Sequence, residues 1–241
     1  MKSDSLFPTT KSTWLGDCLA GTSEGGAAGA QSEGGLHSAR EHVMRRYYEP
    51  LSAYLAATSY RDFDAPSALV AGFFVDRFAD ASYLVAWRAS GIPLRRWLVN
   101  GLLLWVRNEV RRRRRLMERE NALFDDSAAS SFAGPERIFE REWARSIVTD
   151  ACSEIADELR REGSGDRWVL FRRHVLDGLT YEEVAREQAC DQRAVRNACR
   201  LVRVRLESAL IGLLRQEGVA EAAIDTEVAR IRAHFMHDDR A

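Results

Sequence analysis

The sequence predicts an all-α protein with two small helical domains joined by an acidic linker. Apolar residues recur at helical spacing over residues 39–115 and again over 136–235, and no alternating strand pattern competes with them. With 241 residues, 46% of them apolar and 29% charged, the chain can bury one large core or two small ones. A polar, broken stretch between the two helical regions predicts a linker rather than a helix.

Changes in composition along the chain give the expected domain boundaries. Residues 1–38 are rich in Gly, Ala, Ser and Thr, so they bury too little apolar surface to offset their ordering entropy and are predicted to form a disordered arm. The first helical domain is expected over residues 39–116, and the linker over 117–135. The second domain follows over 136–216, and an amphipathic helix and tail over 217–241 are expected to pack on it.

Helical spacing also sets the individual elements. The first helix is expected from about residue 39, where Val43, Tyr47 and Leu51 recur at intervals of four residues. The segment 91–93, Gly-Ile-Pro, is expected to break the chain before a long arginine-rich helix. The remaining helices are expected near residues 65–79, 81–88, 94–115, 136–161, 166–176, 181–188, 192–216 and 220–235.

The sequence lacks the signals of several protein classes. Its longest strongly apolar run, Trp97–Val106, is about half of the ~20 residues that a membrane span needs, and the N-terminus has no apolar core of signal-peptide type. Four cysteines without a C-x-x-C pair indicate reduced thiols in the cytoplasm rather than disulfides or a zinc site. No phosphate-loop, dinucleotide, zinc-protease or serine-hydrolase motif occurs, so neither an enzyme nor a cofactor or metal site is predicted.

Charge is segregated along the chain, although the formal net charge is only −1. Residues 95–120 carry nine arginines and three glutamates, a balance of +6. Residues 121–166 carry eleven acidic residues and five arginines, a balance of −6, and residues 167–215 carry ten arginines and six acidic residues, a balance of +4. Two basic regions around an acidic connector favour two contacts with a polyanion, although solvated helix faces would give the same charge runs.

Residues 179–206 carry the clearest local pattern, which is typical of a helix-turn-helix motif. Thr180 and Glu183 are spaced as a capping box for a short helix, and Asp191 is placed to cap a long one. The long helix is expected to present a polar, basic face that can hydrogen-bond to base edges in the major groove. An ordinary helical hairpin with a solvated arginine face is the alternative. The residues of this face are Gln192, Arg193, Arg196, Asn197, Arg200 and Arg203.

The helix predicted over residues 94–115 places tryptophans beside arginines. Aromatic faces for bases and cations for phosphates are what a single-stranded nucleic-acid surface requires. The alternative is that Trp97 and Trp105 are core residues of a helical bundle. The candidate nucleic-acid contacts in this region are Arg95, Arg96, Trp97, Arg107, Asn108, Arg111 and Arg112.

Five segments of the chain, in this order, resemble an extracytoplasmic-function (ECF) sigma factor of RNA polymerase, in particular the planctomycete-type group. The most specific of them is PERIFEREWARSIV at residues 135–148. The others are RRYYEPLSAYL (45–55), AGFFVDRF (71–78), LRRWLVNGLLLWVRNEVRRRRR (94–115) and TYEEVAREQACDQRAVRNACRLVRVRLESAL (180–210).

The resemblance implies a role for each region and three kinds of partner. The first domain would correspond to sigma region two, which binds core RNA polymerase and reads the −10 promoter element with the candidate contacts of residues 95–112. The second domain would correspond to region four, which reads the −35 element with the polar face of residues 192–203. Promoter DNA and core polymerase are the implied partners, and an anti-sigma or other regulatory protein is a further candidate. The polymerase-binding residues would be Leu69, Phe73, Phe74 and Asp76.

The sequence departs from the family pattern at the expected polymerase contact. Ala68 and Ala71 stand where the family usually has an aspartate and a glutamine, and Ala189 replaces the glycine of the helix-turn-helix turn. Two other functions therefore stay open. One is a sigma-like protein that has weakened polymerase contacts and binds another regulator or effector, and the other is a stand-alone helix-turn-helix regulator.

Overall fold

The computed structural model describes residues 29–79, 81–118 and 133–236, and every regular element in that part of the chain is helical. The predicted all-α class is therefore confirmed. Before the linker, the elements are α1 (Gly29–Ala56), a 3₁₀ turn (Ser59–Asp62), α2 (Pro66–Arg77), α3 (Ser82–Ser90) and α4 (Leu94–Glu118). After it, they are α5 (Ala133–Arg161), α6 (Gly165–Phe171), a π-helical turn (Arg172–Leu176), α7 (Tyr181–Glu187), α8 (Gln192–Gln216), a 3₁₀ turn (Glu221–Ala223) and α9 (Ile224–Met236).

Two of the predicted unstructured segments lie largely outside the described residues. These are residues 1–28 of the N-terminal arm and residues 119–132 of the linker. Helix α1 begins at Gly29, ten residues before the predicted start, so the end of the arm is helical. Propagating an existing helix costs much less than nucleating one, which lets α1 extend into a glycine-containing sequence.

The buried side chains form two cores, and neither core follows the predicted domain boundary at residue 136. The first core joins α1–α4 to the first half of α5, the end of α8 and α9. The second core joins the other half of α5 to α6, α7 and the first half of α8. With 29 residues, α5 is about 43 Å long, so it can line both cores. Its side chains in the first core are Phe139, Trp143, Ala144, Ile147 and Ala151, and those in the second are Ile155 and Leu159.

The closing helix α9 packs into the first core, whereas the sequence predicted that it would pack on the second domain. Ile224, Val228 and Ile231 are at most 6% exposed and belong to the same cluster as the buried residues of α1 and α4. The reason is that α8 is continuous over 25 residues and carries the chain back across the molecule before α9 begins. The apolar face of α9 is thus used inside this chain.

Buried polar contacts tie the first helix to the last part of the chain. The Tyr47 hydroxyl donates a hydrogen bond to the Glu217 carboxylate, and Arg46 pairs with Asp150 of α5 at 2.7 Å. Burial, and then the negative charge of Glu217, raise the pKa of Tyr47 well above its ordinary value. Arg46 and Glu217 are only 3% and 4% exposed, so each depends on its partner for the interactions that water would otherwise supply.

Two glycines inside helices test how closely the first core is packed. A Cβ added at Gly101 of α4 would lie 1.9 Å from the Tyr83 hydroxyl, and the Tyr83 ring packs edge-on against Phe73 at 5.8 Å. Gly101→Ala should therefore lower the free energy of unfolding by about 1–2 kcal/mol, because the clash outweighs the higher helix propensity of alanine. A Cβ added at Gly212 of α8 meets nothing within 4 Å. Gly212→Ala should therefore raise the free energy of unfolding by about 0.5–1 kcal/mol. Urea denaturation of both variants measures the two changes.

The same pair of variants can contradict this account of the packing. Tyr83→Phe combined with Gly101→Ala removes the hydroxyl that the new methyl group would meet, so the double variant should recover part of the lost stability. Equal stability of Gly101→Ala and Gly212→Ala would mean that α4 is not held against α3 in the way described.

Candidate nucleic-acid interface

The structure confirms the two caps that the sequence predicted for the helix-turn-helix segment. The Thr180 hydroxyl accepts a hydrogen bond from the Glu183 amide at 3.2 Å, and the Glu183 carboxylate accepts one from the Thr180 amide at 2.8 Å. The backbone hydrogen bond from Thr180 lowers the pKa of Glu183. Asp191 accepts a hydrogen bond from the Ala194 amide at the start of α8. Both helices therefore begin where their sequences predict.

The turn between α7 and α8 contains a residue in a left-handed conformation. Ala189 has φ of +48°. Among the described residues it is the only one other than glycine with a positive φ. The turn is closed by a hydrogen bond of 3.0 Å from the Cys190 amide to the Ala185 carbonyl. An alanine in this region costs about 1 kcal/mol because its Cβ crowds the backbone, which explains why a glycine suits this turn.

Helix α8 separates its apolar and basic residues cleanly. Val195, Cys199 and Val202 are at most 1% exposed and face the second core. The opposite side, called the recognition face below, is exposed along three turns of the helix, as the sequence predicted. The recognition face consists of Gln192, Arg193, Arg196, Asn197, Arg200 and Arg203, all exposed.

The arginines of the recognition face differ from many others in the protein because acidic side chains do not neutralise them. In the described part of the chain, Arg193, Arg200 and Arg203 have no acidic group within 4.0 Å. In contrast, Arg205, two residues after Arg203, is paired at 2.9 Å with both Glu158 and Glu162 of α5. The positive charge of the recognition face is therefore available to an anionic partner.

A groove of about 870 Å³ runs between α6 and α8 beside the recognition face. Arg167 of α6 lies on its rim together with Arg193, Asn197 and Arg200 of α8, and Asp166 is an acidic residue in its wall. The sequence analysis did not select Arg167, because residues from separate helices come together here and no local spacing marks them. Arg167 thus adds one cation from α6 to the surface that α8 presents, next to the anionic Asp166.

The start of α4 is held by acidic residues inside the protein. Two guanidinium nitrogens of Arg95 donate to the two carboxylate oxygens of Glu227 in α9, at 3.1 and 2.7 Å, and Glu140 of α5 lies 3.6 Å away. The guanidinium also lies over the Trp143 ring, 4.7 Å from its centroid. Burial opposes the charged form of Arg95, yet these carboxylates raise its pKa overall. The sequence predicted a DNA contact for Arg95, and the structure instead gives it an internal partner 132 residues away.

The tryptophans of α4 belong to the packing of the first domain, which favours the alternative that the sequence left open. Trp97 is half-buried and packs against Tyr83 at 5.5 Å between ring centroids. Trp105 packs edge-on against Phe73 and donates a hydrogen bond of 3.0 Å to Asp76. Trp97 is therefore part of a cluster of rings rather than an isolated stacking surface.

The remaining candidate contacts on α4 are exposed, but acidic neighbours neutralise some of them. Arg112 and Arg113 both donate to Glu109, at 2.8 and 3.0 Å, and Arg113 also donates to Asp64 at 2.9 Å. Hydrogen bonds from Arg112 and then Arg113 lower the pKa of Glu109. Arg96, Arg107, Asn108 and Arg111 are exposed on the same helix, and Arg107 lies 3.4 Å from the Tyr60 hydroxyl.

The residues expected to bind polymerase are mostly buried. Leu69, Phe73 and Phe74 are at most 1% exposed and form part of the first core. A buried side chain cannot contact another protein without unfolding its own helix, so these residues position α2 rather than provide its outer surface. Asp76 is exposed, as is Val75 at 75% of its surface. The outer face of α2 also includes Ala68 and Ala71, where the family usually has polar residues.

Arg95 and Arg96 offer a direct test of which side chains of α4 face inward. Arg95→Ala should lower the free energy of unfolding by about 2 kcal/mol, because it removes two hydrogen bonds from the 6%-exposed Glu227 and leaves Arg230 as the cation beside it. Arg96→Ala is the matched control and should change stability by less than about 0.5 kcal/mol, because Arg96 is exposed. Chemical denaturation measures both, and equal values would contradict the internal role of Arg95.

Ala189→Gly should make the protein more stable, by about 0.5–1 kcal/mol. Glycine removes the Cβ that crowds the left-handed turn, and the greater freedom of glycine in the unfolded chain cancels only part of that gain. Thermal unfolding measures the change, with Ala194→Gly inside α8 as the control, which should lose about 1 kcal/mol. A loss of stability in Ala189→Gly would mean that the turn is not left-handed in solution.

Comparison of the chain with protein-family models, with curated proteins and with solved structures found no match. None of the helices in the described residues combines the length and apolar character that a membrane crossing requires. A function for this chain has therefore to be argued from the geometry of its own residues, and above all from the recognition face of α8.

Proposed function

We propose that this chain is a sequence-specific DNA-binding protein of the ECF sigma type, which reads a −35 promoter element with α8 as a subunit of RNA polymerase. The observation that carries the proposal is the recognition face, which is exposed and basic at the start of a capped helix-turn-helix. The resemblance of five ordered segments to ECF sigma factors supports the assignment to transcription initiation.

The chemistry of the recognition face suits the major groove of DNA. An α-helix fits this groove, and the first turns of a recognition helix supply most of its base contacts. Arg193 and Arg196 can each donate two hydrogen bonds to one guanine, and Gln192 or Asn197 can pair in the same way with an adenine. The first turn of α8 carries no acidic residue after the N-cap Asp191, whose carboxylate accepts a hydrogen bond from the Ala194 amide. Arg167 across the groove adds a cation for the backbone of the DNA.

In this proposal the first domain contacts the −10 region mainly through phosphates. The exposed Arg96, Arg107 and Arg111 supply positive charge, and Asn108 between them can hydrogen-bond to a base or a sugar. Arg112 contributes less because Glu109 neutralises it. Trp97 supports the shape of this surface from within the ring cluster.

A second candidate function is a sigma-like protein that binds another regulator in place of polymerase. The observation that favours it is the outer face of α2, where Ala68 and Ala71 are exposed in place of two polar anchors and Val75 is exposed beside them. A stand-alone regulator is favoured less. The apolar face of α9, which could have formed a dimer, is buried in the first core through Val228 and Ile231.

Base contacts and phosphate contacts predict different effects of substitution on DNA binding. Arg196→Ala should cost about 1–3 kcal/mol of binding free energy at one base position and relax specificity there. Arg111→Ala combined with Arg115→Ala should weaken all sequences equally and reduce the salt dependence of log K by about 2, because each exposed cation displaces one counterion. The measurement is the affinity for duplexes selected from a random pool by the full chain bound to core polymerase, titrated at several salt concentrations.

The control is Arg160→Ala, which removes an exposed arginine that Asp157 already neutralises. It should change neither the base preference nor the salt dependence of binding. If Arg196→Ala weakened every duplex equally, α8 would not be reading bases. If the chain selected a DNA sequence but did not co-purify with core polymerase or support transcription, only the DNA-binding part of the proposal would stand. One of the other two functions would then replace that of a polymerase subunit.

A further inference from the structure

One residue of the recognition face is supported by a stack of side chains that the sequence did not reveal. The Tyr181 ring at the start of α7 contacts both His174 and Arg196. Its centroid is 3.9 Å from that of the His174 ring, with the two planes 25° apart. The guanidinium carbon of Arg196 lies over the same ring, 5.4 Å from the Tyr181 centroid. Cations over an aromatic face at this distance are attracted by its quadrupole.

The His174 side of the stack is fixed by the π-helical turn that follows α6. A ring nitrogen of His174, Nδ1, lies 2.7 Å from the Leu179 carbonyl oxygen. Arg173, the neighbour of His174, donates to Asp177 at 2.8 Å and to Glu187 at the end of α7 at 2.7 Å. These contacts fasten the turn to both ends of α7, so the ring of His174 is a fixed support rather than a loose surface side chain.

Tyr181 itself is anchored by its place in the capped helix. It follows Thr180 directly, so the capping box with Glu183 fixes the backbone from which its ring projects. The ring is half-buried and packs against the second core. Among the described residues, Tyr181 is the only residue of α7 whose aromatic ring contacts the recognition face.

Arg196 is also held from its own helix. Its Nη2 donates to the Gln192 side-chain oxygen at 3.1 Å, one turn earlier in α8. The guanidinium is thus restrained by two contacts, one with the Tyr181 ring and one with the Gln192 amide oxygen. In the described part of the chain, Arg193, Arg200 and Arg203 show neither contact.

We infer that Tyr181 is a positioning residue, which holds the Arg196 guanidinium ready for one base and makes Arg196 the main specificity-determining arginine of the recognition face. The inference rests on the proposed DNA-binding function. A side chain that is already ordered loses less freedom on binding, so its hydrogen bonds discriminate better between bases. Arg193, Arg200 and Arg203, which lack these two contacts among the described residues, contribute affinity with less selectivity.

The test compares four variants of the full chain: Tyr181→Leu, Tyr181→Met, Tyr181→Phe and Thr180→Ala. Leucine and methionine remove the ring, and phenylalanine keeps it. Thr180→Ala weakens the capping box, and so loosens the same helix, without removing the ring from Arg196. The probe is a pool of duplex DNA with randomised positions, and sequencing of the bound fraction gives the preference at each position. Arg196→Ala marks the position that Arg196 reads.

At that position, Tyr181→Leu and Tyr181→Met should reduce the base preference about two- to fivefold, the range that an exposed cation–π contact gives. Preferences at the other positions should stay within twofold of the wild type, and Tyr181→Phe should behave as wild type throughout. Thr180→Ala should lower stability and should reduce the preference at this position less than Tyr181→Leu does, because the ring is still present beside Arg196. A loss that is equal at all positions, or equal in Thr180→Ala, would overturn the positioning role.

A second measurement keeps this test separate from that of the proposed function. Nitrogen-15 relaxation of the Arg196 Nε–H group in the free protein should report an ordered side chain in the wild type and in Tyr181→Phe, and a mobile one in Tyr181→Leu. If wild-type protein enriched no DNA sequence while this difference was observed, the proposed function would fail and the restraint of Arg196 would stand. If Arg196 was equally mobile in all variants, the inference would fail whatever the DNA selection showed.

Discussion

The arrangement of the whole molecule depends on two long helices that each belong to both cores. Helix α8 buries Val195 and Val202 in the second core and Leu213 and Leu214 in the first. Helix α5 is shared in the same way. Because a helix is stiff over this length, burying one end fixes the direction of the other. In this closed arrangement the recognition face is therefore held at a set orientation to the first domain, and its polar residues are exposed because the apolar side of the same helix is already buried.

Features that depend on neighbouring residues could be predicted from the sequence, and those that depend on distant partners could not. The capping box at Thr180, the cap at Asp191 and the two faces of α8 all follow from spacings of three and four residues. The pairing of Arg95 with Glu227 joins residues 132 positions apart, and nothing in the local sequence of either residue indicates it. The stack of His174, Tyr181 and Arg196 could not be predicted for the same reason, because its three residues come from separate elements.

Resemblance to a family identified the segments, but burial decides what each side chain can do. The resemblance assigns Leu69, Phe73 and Phe74 to a polymerase contact, but all three are buried in the first core. The charge of a side chain, taken alone, does not show its role either. Arg95 and Arg196 look equivalent in the sequence, but the first is enclosed by carboxylates and the second is exposed and stacked on a ring. The surroundings of an arginine therefore separate a structural role from a recognition role.

The proposed function places a further demand on the compact arrangement. Promoter elements at −10 and −35 are about 25 base pairs apart, roughly 85 Å along DNA, whereas α5 and α8, which line both cores, are only about 43 and 37 Å long. A protein that reads both elements at once has to move its two cores apart. The end of α8 and α9 would then leave the first core, which breaks the pair between Arg95 and Glu227. The same opening would expose Arg95 at the start of α4, where the sequence predicts a contact with the −10 element.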